Sequence, residues 1–166
     1  RDMVGLSWYD AGARSFYATQ PIRSLSDLQG KIIRVQDSQI VIDLIKLLGG
    51  TPVTFTYSDV YAAFETGKID AAENNWPSYY SMSHYKVAKY YTVDEHSRVP
   101  EIQIASGKTW AKLPAEYQEI IRACAQESAQ YERTLWAQQE NEFRAAALAG
   151  GCREINLSDE EMEAFR

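Results

Sequence analysis

Lys31-Ile32-Ile33-Arg34-Val35-Gln36 decides the fold: it is a β-branched run that reads as a strand, entered from the capped turn Ser26-Asp27-Leu28-Gln29-Gly30. Asp37 and Ser38 then offer N-cap oxygens. Val41, Leu44, Ile45 and Leu48 recur at helical spacing up to a stop at Gly49-Gly50. Thr51 to Thr56 reads as a second strand. Strand, helix, strand in this order predicts parallel pairing through a right-handed crossover.

The alternation continues on both sides. Ser58 and Asp59 can cap a helix over Val60, Tyr61 and Phe64 that ends at Gly67. Ile69 to Ala72 is a further short strand, running into Glu73-Asn74-Asn75-Trp76-Pro77. A short helix is expected over Tyr79 to Ala88, and strands over Tyr90 to Val93 and Glu101 to Ala105. One long helix follows from Pro114, at the favoured first helical position, to Ala149. Cys152 to Leu157 reads as a returning strand, and Ser158-Asp159-Glu160-Glu161 as a capping box. Before the central unit, Ser15 and Tyr17 alternate with Arg14 and Phe16 on a short strand. The class is α/β.

Composition narrows the function. The 166 residues are one domain's worth, with 45% apolar and 24% charged residues as in ordinary globular chains. Seventeen lysines and arginines stand against 23 acids, a net charge of −6 with no basic patch, which argues against nucleic acid as a partner. Apolar runs fall far short of the ~20 residues a membrane helix needs. No Gly-rich phosphate loop, HExxH, CxxC or GxSxG occurs, and no cofactor or metal is expected. Cys124 and Cys152 can be bridged only if the long helix breaks between them; otherwise they are two buried thiols. The opening Arg1-Asp2-Met3, and a helix capped only a few residues before Arg166, predict a piece of a longer polypeptide.

Arg34 is the first informative charge. It sits inside a strand that helices should cover on both faces, with Ile33 and Val35 facing one way and Ile32, Arg34 and Gln36 the other. A buried guanidinium needs a partner, either an internal acid or an anion arriving at the strand's carboxyl end, where open α/β sheets bind ligands. Asn74, just past the end of another strand, would share that edge. An arginine fork beside an amide suits a carboxylate that also carries hydroxyls. Asn75 and Trp76 extend the cluster, although a tryptophan is as readily core. Arg14 is either a surface arginine or a second cation for an acidic ligand. His84 and His96 are isolated in sequence and read as surface or hydrogen-bonded residues.

Asp10-Ala11-Gly12-Ala13-Arg14-Ser15-Phe16-Tyr17, Asp27 to Gln36, and Gly67-Lys68-Ile69-Asp70-Ala71-Ala72-Glu73-Asn74-Asn75 together resemble the solute-binding receptors of TRAP (tripartite ATP-independent periplasmic) transporters. Lys89-Tyr90-Tyr91, Glu95-His96 and Trp110 to Ala149 extend the likeness, while Ala71 departs from the family's usual glycine. The resemblance implies a periplasmic-binding-protein-like two-lobed α/β fold that closes on its ligand. Of this fold the chain would carry one lobe with a mainly parallel sheet, a long C-terminal helix and only part of the other lobe. Residues 1–92 would form the ligand-binding lobe, and residues 93–166 the crossover strands, long helix and C-terminal segment contributing to both; most of the N-terminal lobe would precede Arg1. Arg34 would clamp a carboxylate, Arg14 be the second arginine and Asn74 the ligand-binding asparagine, with Asn75, Trp76 and Gln36 completing the ligand-binding set.

The form Glu73-Asn74-Asn75-Trp76-Pro77-Ser78-Tyr79 looks most like members that bind uronic acids such as glucuronate or galacturonate. The implied protein is a periplasmic receptor handing a sugar acid to the membrane subunits of a TRAP transporter, not an enzyme and not itself membrane-embedded. Two alternatives stand beside it: an enzyme acting on sugar acids with Glu73, Glu95 or His96 as general base, or the ligand-sensing module of a regulator.

Overall fold

The short β-branched runs become strands and the 3.6-period runs become helices in a computed structural model that describes residues 2–98 and 100–165. In chain order these are β1 (Met3–Tyr9), β2 (Ala13–Ala18), β3 (Ile32–Val35), α1 (Gln39–Leu47), β4 (Thr51–Thr54), α2 (Val60–Glu65), β5 (Ala71–Asn74) and α3 (Trp76–Ser81). Then follow β6 (Tyr90–Arg98), β7 (Glu101–Ser106), α4 (Gly107–Trp110), α5 (Ala115–Ala149), β8 (Arg153–Asn156) and α6 (Asp159–Ala164). Short 3-10 turns occupy Leu25–Leu28, Tyr57–Asp59 and His84–Lys86.

The chain divides into two compact units, residues 2–12 with 98–140 and residues 13–97 with 141–165. The 92/93 boundary drawn from the sequence falls within β6, which runs through it as one strand.

The larger unit holds a six-stranded sheet in the order β4-β3-β5-β2-β6-β8. β3 pairs in parallel with β4 and β5, and β6 with β8, whereas β2 runs antiparallel to β5. Both sheet faces are covered. On one, Ile33 and Val35 pack with Phe16, Ala71, Ile45 and Leu28. On the other, Tyr17 and Ala72 pack with Phe64, Tyr79, Tyr91 and Cys152. Residues paired across strands share a face, so the Arg34–Ala72 register puts Arg34 on the second of these, as the alternation predicts. Burying Ile33 and Val35 completely stabilises the sheet by roughly 1.5–3 kcal/mol for each side chain. Gly49, at φ +87°, takes the left-handed conformation that stops α1, which a residue with a Cβ would strain to adopt.

β6 runs on to Arg98 beyond the expected Val93, α4 carried no expectation, and three further segments differ. β5 continues through Glu73 and Asn74, so Asn74 ends the strand instead of following it. The helix expected over 79–88 starts earlier, because the Asn75 carboxamide caps it by accepting from Ser78 N at 2.9 Å. It stops at Ser81, and Ser83 takes a positive φ before the turn at His84. β1 carried no expectation at all, since Gly5 and Ser7 interrupt its apolar alternation.

The smaller unit pairs β1 and β7 as an antiparallel ribbon. One face is polar: Ser7 Oγ donates to Gln103 Oε1, Gln103 Nε2 donates to Tyr9 OH, and Tyr9 OH and Ser128 Oγ of α5 share a 2.5 Å hydrogen bond. The opposite face shows Met3, Trp8, Ile102 and Ile104, each between 45 and 56% exposed. α5 is one unbroken helix of 35 residues. Cys124 and Cys152 are both free thiols; Cys152 is buried and Cys124 is exposed, so only one of the pair fits the buried reading. Among the described residues no helix is long and apolar enough to cross a membrane.

Candidate functional site

Sheet topology gathers the candidate residues at one edge. β3 and β5 are parallel, so Arg34 near the end of one and Asn74 at the end of the other lie at their carboxyl ends. β2 is antiparallel, and its Ser15–Asn74 register brings Arg14, near its start, to the same edge.

Arg14 is bound to an internal acid. Its Nε donates to Glu73 Oε2 at 2.5 Å, Nη2 donates to Oε1 at 2.9 Å and to the Glu73 carbonyl at 3.0 Å, and Nη1 donates to Asn74 Oδ1 at 3.0 Å. Glu73 Oε2 also lies 3.6 Å from His96 Nε2, while His96 Nδ1 donates to Asp94 Oδ2 at 2.5 Å. Asp94 is itself fixed by Phe16 N at 2.9 Å, and the Phe16 ring stacks on His96 at 4.4 Å. Arg14, Glu73, His96 and Asp94 therefore alternate in sign. Burial works against the charge on His96, but hydrogen bonding to Asp94 and the charge of Glu73 prevail and raise its pKa to about 9. For Glu73 the penalty of burial is likewise overcome, by His96 and Arg14, and its carboxyl is held below the usual range.

Arg34 differs. It is 5% exposed, and its Nε and Nη2 donate at 3.1 and 2.8 Å to one main-chain oxygen, that of Phe55. Among the described residues no carboxylate lies within ion-pairing distance of it, and its Nη1 has no hydrogen-bond partner. Burial lowers its pKa; Tyr17 and the more distant charge of Glu73 work against that effect, and the charge of Arg14 adds to it. Close by, Tyr17 OH and His84 Nδ1 share a 2.8 Å hydrogen bond. Burial first, then the Arg34 charge, push His84 down to about 4 and keep it neutral.

The other candidates have structural partners. The Asn74 carboxamide oxygen accepts from Arg14 and from Asn75 N, and Asn75 caps α3. Trp76 is buried and stacks on Tyr91 with ring centroids 3.6 Å apart, while Tyr91 OH donates to the Asn74 carbonyl. Gln36 is exposed just beyond β3. Glu95 is exposed, and its main-chain nitrogen donates to Ser15 Oγ. Sequence reading missed the Phe55 carbonyl, which no residue-type signal marks, and the Asp94–His96 pair. The latter could have been found from two ionisable residues two apart on one strand, hence on one face.

Comparison with known proteins follows the same lines. A solute-binding protein of Chromohalobacter salexigens is 35% identical over 161 residues, 96% of this chain and 48% of that protein. A TRAP periplasmic solute-binding protein from Xanthobacter autotrophicus, solved with bound β-D-galacturonate, superposes with a TM-score of 0.92 at 41% identity, covering 99% of this chain and 55% of that one. A counterpart from Roseobacter denitrificans with bound β-D-glucuronate gives 0.92 at 38% identity, again covering 99% and 55%. The chain thus spans about half the length of the curated relatives it matches. The profile of DctP, bacterial extracellular solute-binding protein family 7, matches residues 1–166, and the chain belongs to that family.

Proposed function

We propose that this chain is the carboxylate-binding part of a periplasmic receptor that captures a uronate, such as galacturonate or glucuronate, and hands it to the membrane subunits of a TRAP transporter. The single observation that carries the reading is Arg34: a buried cation whose only hydrogen-bond partner among the described residues is a neutral carbonyl. A charge so placed gains most from an incoming anion. Its two terminal nitrogens present a planar fork that matches a carboxylate. The uronates bound to the similar solved proteins supply the ligand class.

In this reading the larger unit is one lobe of a two-lobed receptor that closes on its ligand. Asn74 serves the hydroxyls. Arg14 acts with it, orienting the carboxamide through Nη1, and Asn75, Trp76 and Gln36 border the sugar. One charge pair at 4 Å contributes about 4 kcal/mol at an effective dielectric near 20, before desolvation. Micromolar binding needs roughly 8 kcal/mol, so hydroxyl hydrogen bonds and ring contacts must add the remainder. The reading is of a binder, not a catalyst: Glu73 and His96, the candidate acid–base pair, are engaged with Arg14 and Asp94.

The test is selectivity in the full-length receptor. Thermal shifts should be large with galacturonate or glucuronate and small with the neutral parent sugars. Equal shifts with acid and neutral sugar would remove the carboxylate clamp. NMR of the incubated uronate should show the sugar unchanged.

A further inference from the structure

Arg34 takes its orientation from an oxygen that no strand holds. β4 pairs with β3 up to Thr54, opposite Val35, and the ladder ends before Phe55. Yet the Phe55 carbonyl receives both Nε and Nη2 of Arg34. That uses one edge of the guanidinium and leaves Nη1 and the second Nη2 proton as the open fork. A carbonyl on a free loop would let the fork swing. This one is fixed from its far side.

Phe55 C=O and Thr56 N–H belong to one planar peptide, so whatever locks Thr56 aims the oxygen. Thr56 Oγ1 donates to Asp59 Oδ2 at 2.6 Å and lies 3.0 Å from Ser58 Oγ. Asp59 N donates back to the Thr56 carbonyl at 3.1 Å. This turn leads directly into α2, which Val60, Ala63 and Phe64 anchor in the core. The Phe55 ring packs on the same core.

We infer that the Thr56–Asp59 turn is a positioning device for the ligand-binding arginine: through the Phe55 carbonyl it presents the Nη1–Nη2 fork of Arg34 to a carboxylate. Thr56 and Asp59 touch no ligand in this scheme; they act through Arg34. The ligand half of the inference rests on the uronate reading above, and the orientation half does not.

The experiment uses the nitrogen-15-labelled full-length receptor and has two readouts. The first is hydrogen exchange of the Arg34 Nε proton by NMR, its signal identified by its loss in Arg34→Lys. The second is galacturonate affinity by calorimetry. Thr56→Val should speed exchange and weaken galacturonate about tenfold, the scale of one hydrogen bond to a charged group. Thr56→Ser, which keeps the hydroxyl, should restore both. A Thr56→Val protein with wild-type exchange overturns the device, as does a Thr56→Ser protein as impaired as Thr56→Val. Faster exchange with unchanged galacturonate affinity overturns its role in binding. If Thr56→Val does not fold, Asp59→Ala removes the same hydrogen bond from its other end and is read in the same way. If the unmodified receptor binds neither uronate, the ligand reading fails, and the exchange data alone decide whether the turn positions Arg34.

Discussion

Arg14 and Arg34 flank β5 on either side, both mostly buried, and the protein treats them in opposite ways. Arg14 is neutralised by the Glu73 carboxylate, which faces His96, and His96 is in turn held by Asp94. Arg34 is steadied by a dipole and left charged. The difference teaches that a buried arginine is not one kind of object. Where the charge is balanced internally, removing it exposes a cost that the fold had offset. Where it is not, the cost is already present in the unliganded protein, and on the proposed reading removal should affect binding instead of folding.

The largest expected effect follows from that contrast. Arg14→Met in the full-length receptor should lower unfolding free energy by about 3 kcal/mol, because the 1%-exposed Glu73 loses its directly hydrogen-bonded cation and keeps only His96. Arg34→Met should leave stability unchanged or raise it, while abolishing uronate binding. Urea denaturation of both variants decides the matter; equal losses would erase the distinction. Next in size, Arg34→Lys should weaken uronate binding by at least ~2 kcal/mol, since an ammonium cannot reproduce the planar fork. Unchanged affinity in calorimetry would take Arg34 out of the site.

The two histidines sharpen the comparison through pH. His96, raised from 6.5 to about 9, contributes stability that is complete below pH 6.5 and is lost as pH climbs through 9. His84, lowered to about 4, does the reverse: its contribution is present above pH 6.5 and is lost as pH falls through 4. Melting temperature should therefore fall on both flanks, each loss on the order of 3 kcal/mol. His96→Gln should flatten the alkaline flank alone. The smallest effect concerns Asn75: replacement by alanine should cost about 1 kcal/mol through loss of the α3 cap, and replacement by serine should cost less.

How far the sequence could be read follows the same physics. The β3–α1–β4 unit was plain because Ile33, Val35, Ile45 and Leu48 repeat at the periods of their elements and Gly49 stops the helix. The placing of Arg34 and Asn74 at one edge was legible because strand ends are local features; that Arg14 joins them was not, because it depends on the antiparallel β2–β5 pairing. What each arginine touches was not. The reading weighed a salt bridge for Arg34, yet it is Arg14 that makes one. Its partner Glu73 lies 59 residues away, and only the Ser15–Asn74 register reveals it. The Phe55 carbonyl was invisible for another reason: main-chain oxygens are the same at every position.

The stacking of Trp76 on Tyr91 has an optical consequence. An indole held face to face with a phenol, one residue from Asn75 and two from Asn74, sits in a buried setting whose polarity would change if a sugar acid bound as proposed. Trp8, half exposed on the bare side of the ribbon, and Trp110 and Trp136 would supply a background to that signal. Replacing Trp8, Trp110 and Trp136 with phenylalanine would leave Trp76 as this chain's one indole and turn its emission into a gauge of occupancy, with no dye attached.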